Sequence, residues 1–212
     1  MKVAILSESS ADEAALRVLV DGILEKQTEP IVLPPLRTRG WPSVRQGLRN
    51  VILHLHYHTD ADSLALVVDS NNSPVHLRAH EHDLERDPRC RMCDLHNIAT
   101  QTLARLRPIA GRTPLKVAVG IAVPAVEAWY RCGVDSRVTE SAWIHALDSR
   151  TFGYTKQSLK LDVYGTDHPS LSHETTRAIE ETNRLVGEKL IARLEQSFPA
   201  GFGSLLRDVK NW

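Results

Sequence analysis

The stretch Val3-Ala4-Ile5-Leu6-Ser7-Glu8-Ser9-Ser10-Ala11-Asp12-Glu13 decides how the chain folds. Its first four residues are a continuous apolar run, the pattern of a buried strand. Ser9 with Asp12, or Ser10 with Glu13, then makes a capping box, in which a hydroxyl and a carboxylate satisfy the free amides of a helix start. The helix that follows carries Leu16, Leu19, Val20, Ile23 and Leu24, an i, i+3, i+4, i+7, i+8 stripe that makes one buried face. Gly22 weakens its last turn.

The same alternation continues outward. Ile31-Val32-Leu33 reads as a second strand, stopped by Pro34-Pro35. Pro42 and Ser43 open a second helix with the stripe Val44, Leu48, Val51, Ile52 and Leu55. Leu64-Ala65-Leu66-Val67-Val68 is a third strand, ending at Asp69. Residues 71–94 are polar, rich in histidine and without periodicity, an insertion held by something other than a core. A third helix is expected from about Leu95, burying Ile98, Leu103 and Leu106 and stopping near Pro108. Val117-Ala118-Val119-Gly120-Ile121 is a fourth strand, leading through Pro124 into a short helix with Glu127-Ala128-Trp129-Tyr130. This order predicts an α/β fold with a mostly parallel sheet covered on both faces, because parallel strands need crossovers. A long helix from about Ser172, with Ile179, Val186, Leu190 and Leu194, is expected to run to Phe198-Pro199. The chain divides into an α/β domain over residues 1–165, with the His/Cys-rich insertion at about 71–96, and a helical C-terminal extension over 166–212 packed on the same domain.

Composition excludes several classes. The 212 residues carry 26 Lys+Arg and 26 Asp+Glu, so no bulk positive charge exists to coat DNA, although a local basic groove remains compatible. No apolar run approaches the ~18 residues of a membrane span, so no membrane association is expected. The N-terminal apolar run is short and is broken by Glu8, unlike a signal peptide, and three cysteines, an odd number, argue against a disulfide framework. A cytoplasmic chain is expected. No G-x-S-x-G and no P-loop is present, which disfavours serine hydrolases and stand-alone NTPases.

Sites in open α/β sheets form at the carboxyl ends of the strands. Glu8 ends the first strand, Asp69 the third, and Glu127 follows the fourth. Asp69-Ser70-Asn71 puts two oxygen-bearing side chains at i and i+2, where a turning chain aims both at one ion. Mg²⁺ takes such hard oxygen ligands, and a metal so held polarises a phosphodiester and activates water. Lys156 and Lys160, after Gly153-Tyr154, are candidates to bind phosphate and neutralise developing charge. The modest basic groups Arg37, Arg39, Arg45 and Arg49, and Arg105, Arg107, Arg112 and Lys116, read mainly as solvated surface.

Histidines cluster between Val51 and His96, near two of the cysteines. His80-x-His82 followed by Cys90-x-x-Cys93-x-x-His96 has the thiolate and imidazole ligands that tetrahedral zinc prefers. The C-x-x-C places two sulfurs on one ion, His80, His82 or His96 completes the set, and His76 is a further candidate. A structural Zn²⁺ would explain how so polar a segment stays ordered. A redox C-x-x-C should instead open a helix after a strand. In His54-x-His56-x-His58, His54 and His58 share a helix face at a spacing that can bind metal, although solvated histidines near a helix end are the simpler reading. Cys132 reads as a buried apolar residue.

Three of these motifs together resemble a known family. Glu8-Ser9-Ser10-Ala11-Asp12 resembles the E-G-x-T-[DE] opening of Toprim-like proteins, Asp69-Ser70-Asn71 their D-x-D, and Glu127-Ala128-Trp129 the E-A-W of one uncharacterised bacterial Toprim-like family, often encoded near ATPases and defence genes. The resemblance covers roughly residues 1–165. It implies a small parallel sheet with helices on both faces and a Mg²⁺- or Mn²⁺-dependent phosphodiesterase, a nuclease on DNA rather than RNA, with an ATPase partner. It also implies that Glu8 is the general acid/base and that Asp69 and Asn71 hold the metal, with Glu127 assisting. Ser9 stands where the family has Gly, and Asn71 where it has a second Asp, which keeps an oxygen but loses a charge. A non-catalytic binding module, whose zinc-stapled insertion contacts a partner protein or nucleic acid, is the alternative.

Overall fold

The computed structural model describes residues 1–34, 40–71, 73–81 and 87–212. Four strands, β1 (Lys2–Leu6), β2 (Glu29–Ile31), β3 (Ser63–Asp69) and β4 (Lys116–Ala122), form one parallel sheet in the order β2-β1-β3-β4. The crossovers are helices: α1 (Ser10–Leu24) between β1 and β2, α2 (Trp41–His58) between β2 and β3, and α3 (Arg91–Leu103) between β3 and β4. Six further helices follow among the described residues: α4 (Val126–Tyr130), α5 (Glu140–Ser149), α6 (Lys156–Tyr164), α7 (Leu171–Gly187), α8 (Ile191–Ser197) and α9 (Phe202–Lys210).

Strand side chains alternate between faces, which divides the core in two. Val3, Ile5, Ala65, Val67 and Ala118 pack with α1, α4 and the C-terminal helices around Trp129, Phe198 and Phe202. Ala4, Leu6, Leu64, Leu66, Val68 and Val119 pack with α2 and α3. Both faces are therefore covered, as parallel sheets require. No helix of the described residues is long and apolar enough to cross a membrane.

Local chemistry explains most boundaries. Ser9 caps α1, its Oγ accepting from the Asp12 N–H at 3.1 Å, and its extended φ of −138° needs no glycine. Pro42 sits in the first turn of α2, where no N–H is required. Three boundaries differ from the sequence reading. The second strand is Glu29–Ile31, and Val32 is 86% exposed, because the parallel pairing with β1 spans only three residues at this sheet edge. The third helix begins at Arg91, not near Leu95, so the C-x-x-C opens it and Met92, Cys93 and Leu95 face the core. The long C-terminal helix is two: α7 ends at Gly187, Lys189 turns through a left-handed φ of 57°, and α8 restarts at Ile191.

The C-terminal helices complete the domain. The α7 helix packs along α1, where Gly22 leaves room for Val186. The α9 helix lies against β4, and Asp208 takes the Val119 N–H at 3.3 Å, satisfying a donor of this edge strand. A Cβ on Gly201 would stand 2.1 Å from the Ile121 carbonyl oxygen, so the turn into α9 approaches β4 more closely than any side chain permits. Gly201→Ala should therefore lift α9 from the sheet and lower stability by about 3 kcal/mol, read as a fall in the urea unfolding midpoint.

Candidate functional site

The strand order reverses between β1 and β3: the chain steps outward from β1 to β2, then returns to the other side. The two crossovers part there, which makes this the switch point at the carboxyl ends of the strands. Glu8 spans it. Its Oε1 accepts from the Asp69 N–H and its Oε2 from the Trp41 N–H, each at 3.0 Å, joining the exit of β1 to the end of β3 and the start of α2. Arg91 Nη1 lies 3.4 Å from Glu8 Oε1 and donates to the Asp69 carbonyl at 2.7 Å.

Asp69 is engaged on both oxygens. Oδ1 takes the Val126 N–H at 3.0 Å, and Oδ2 takes Lys156 Nζ at 2.5 Å. The same ammonium donates to Asn71 Oδ1 at 2.8 Å. Asn71 has a left-handed φ of 48°, a conformation asparagine tolerates better than most residues. Glu127, at 2% exposure, lies 3.8 Å from Lys160, which also faces Glu174 at 3.7 Å. Glu127 Oε2 is buried with no hydrogen-bond partner among the described residues, as are the Tyr130 and Tyr164 hydroxyls.

Negative charge is concentrated here. Burial, then the nearby Asp69 carboxylate, raises the Glu8 pKa above its ordinary value. Burial and Asp69 push Asp12 well up, with Glu127 and Glu174 adding to the effect. Burial and Asp69 raise Glu127 to about 7. Burial opposes the charge of Lys156, but Asp69, Glu127 and Glu8 outweigh it and raise its pKa. The site is a carboxylate cluster held together by Lys156, Lys160 and Arg91 (its own counterions).

A second centre lies on the α2–α3 face. His76, His80, Cys90 and Cys93 bring one ligand atom each to within 4.8 Å of one another. His76 Nδ1 is 3.6 Å from Cys90 Sγ and 3.5 Å from Cys93 Sγ. Tetrahedral bonds of ~2.3 Å to sulfur and ~2.0 Å to nitrogen hold such atoms roughly 3.5 Å apart, so this His₂Cys₂ set has the dimensions of a metal site. Burial, then His96 and His80, lowers the His76 pKa to about 4, which keeps the imidazole neutral and able to ligate. The C-x-x-C opens a helix, contrary to the sequence reading, yet burial pushes the Cys90 thiol up to about 12, the opposite of an activated redox thiol.

Of the ligand candidates in the sequence, the cluster takes His80, Cys90 and Cys93 and prefers His76 to His96. His96, one turn after Cys93, lines the same cavity of about 300 Å³ as His76, His80 and Cys93, together with Arg207 and Ser204. His82 lies outside the described residues, as do Arg37 and Arg39. His54 and His58 stack with centroids 5.7 Å apart on α2, and His56 is buried with Nε2 2.9 Å from the Arg107 carbonyl. Arg45, half exposed, pairs with Asp94 at the surface, and Arg112 donates to the Leu55 and Ala61 carbonyls at 2.9 Å, tying the end of α2 to the start of β3. Cys132 is buried and free. Sequence reasoning missed Arg91 and Glu174, and placed Asp12 in the helix cap and the family motif without giving it a role in the site. Arg91 had a usable signal, its place inside the C-x-x-C, whereas Glu174 had none.

The charge cluster has a measurable signature. The folded chain holds the Glu127 proton up to about pH 7, whereas an unfolded chain releases it near 4.5. The ionised carboxylate therefore costs folding free energy that is absent below about pH 4.5 and fully present above about pH 7. Glu127→Gln should raise the melting temperature at alkaline pH in metal-free buffer, by an amount equivalent to about 1–3 kcal/mol, and this gain should vanish as the pH falls through that window. Compared with protein-family models, with curated proteins and with solved structures, the chain shows no match in any of the three, so function must be read from the site itself.

Proposed function

We propose that this chain is a Toprim-like, divalent-metal-dependent phosphodiesterase, a nuclease acting on DNA in preference to RNA, with a structural zinc at the His₂Cys₂ centre. The observation that carries the reading is the meeting of Glu8, Asp69 and Glu127 at the switch point of a parallel sheet, with Lys156 and Lys160 upon them. The ATPase partner and defence role implied by the resemblance belong to the same proposal.

On this reading the acidic site would hold Mg²⁺ or Mn²⁺. Asp69, Asn71 and Glu127 offer hard oxygens, Glu127 Oε2 is buried without a partner among the described residues, and the raised pKa values of Glu8, Asp12 and Glu127 mark excess negative charge that a cation relieves. The chemistry a bound ion supplies is polarisation of a phosphodiester and activation of water. Glu8 holds and moves the proton: its raised pKa brings a carboxylate closer to neutrality, where acid/base exchange is efficient. Lys156, whose side chain is 37% exposed, can leave Asp69 and Asn71 for a substrate phosphate, and Lys160 adds positive charge beside it.

One observation favours the alternative, a non-catalytic binding module. Lys156 Nζ already bridges Asp69 and Asn71, and both Glu8 oxygens accept backbone N–H groups, so the cluster is neutralised from within. Cleavage of plasmid, single-stranded DNA and RNA with Mg²⁺ or Mn²⁺ separates the two. Wild type should cleave DNA, and Glu8→Gln and Asp69→Ala should each lose about a hundredfold or more in rate. Bound zinc should be unchanged in both and lost in Cys90→Ser. Absence of cleavage by zinc-loaded wild type would overturn the nuclease reading in favour of the binding module.

A further inference from the structure

The two centres meet in one residue. Arg91 stands between the cysteines, as the first residue of α3 with Cys90 as its N-cap. Its side chain, 16% exposed, reaches the other centre: Nη1 donates to the Asp69 carbonyl at 2.7 Å and lies 3.4 Å from Glu8 Oε1. Its guanidinium carbon lies 4.7 Å from the centroid of the Trp41 ring, and the backbone N–H of Trp41 is the other donor to Glu8. A single guanidinium thus touches the exit of β1, the end of β3 and the first residue of α2.

Apart from the burial of Met92 and Leu95 and the Arg45–Asp94 pair, the Cys/His cluster is what fixes where α3 begins. Between β3 and α3 the regular structure among the described residues is one short 3₁₀ turn, Arg78–Glu81. The buried apolar side chain of that connection, among the described residues, is Val75. Cys90 and Cys93 bracket Arg91 in sequence, and both sulfurs face His76 from the same connection. A metal binding all four groups pins the backbone on both sides of Arg91. Without it, the thiols and imidazoles share only weak contacts, and a displacement of about 1 Å at the helix start is enough to break directional guanidinium hydrogen bonds. Glu8 would then keep the repulsion of Asp69 while losing a counterion.

We infer that Arg91 is a positioning residue through which metal held by His76, His80, Cys90 and Cys93 orders the strand-end carboxylates. This rests on the reading of that cluster as a metal site and makes the insertion a lever on the acidic site rather than a detached staple. The coupling is reciprocal, so whatever rigidifies the acidic site also tightens metal binding at the cysteines.

Hydrogen exchange on the full chain tests it, reading the amides of Asp69 and Trp41, the two that Glu8 accepts. Three samples are compared with zinc-loaded wild type: chelator-stripped wild type, zinc-loaded Arg91→Met, and stripped Arg91→Met. Stripping the wild type should speed exchange at both amides about tenfold, toward the low end of the range for coupled sites. Zinc-loaded Arg91→Met should show the same rise with its zinc content intact, and stripping the variant should add little. Amides in the middle of β1 stay protected in all samples if the fold persists. Faster exchange confined to residues 73–100, or fully additive effects of stripping and substitution, would overturn the coupling while leaving the metal site standing. A wild type that takes up no zinc would overturn the metal reading, and the coupling with it.

Discussion

One carboxylate spans the place where the sheet divides. Glu8 accepts an N–H from Asp69 and another from Trp41, and so closes the gap that the reversal of strand order opens between β1 and β3. The gap in pairing is a consequence of topology: the crossovers leave in opposite directions from the two central strands. A carboxylate at that point gives two backbone donors a partner that no strand supplies. It also brings negative charge next to Asp69, and the remaining charges of the site follow from that.

Carboxylates outnumber cations in this site. Asp12, Glu127 and Glu174 stand behind Glu8 and Asp69, and Lys156, Lys160 and Arg91 face them. Each cation comes from a different turn of chain or helix, so the site closes only when α3 and α6 have docked. Burial raises the carboxylate pKa values, and the cations limit the rise. The Cys/His centre lies on the α2–α3 face and shares α3 with the acidic centre, through neighbouring residues of its first turn.

Much of this was legible in the sequence where the signal is short-range. The strand and helix alternation, the Ser9 cap and the Pro42 helix start depend on residues within one or two turns, and each lies where the pattern puts it. The start of α3 was misread because its first turn buries Met92 and Cys93 beneath a stretch that looks polar in composition. The break between α7 and α8 was missed because Val186, Leu190 and Leu194 keep a helical spacing across it, while Lys189, not a glycine, makes the left-handed turn.

The sequence by itself determined that the sheet is parallel, that Glu8 lies just past the first strand, which ends at Leu6, that Asp69 ends the third, and that two cysteines are spaced to share one ion. Each follows from local periodicity or from a spacing of a few residues. Only the tertiary structure decided that Lys156 lies on Asp69, 87 residues away, that His76 rather than His96 joins the cysteines, and that Arg91 links the two centres. Those meetings depend on the strand order and on how α3 and α6 dock against the sheet. No local pattern encodes them, because the core and the charge cluster form only when distant segments pack together.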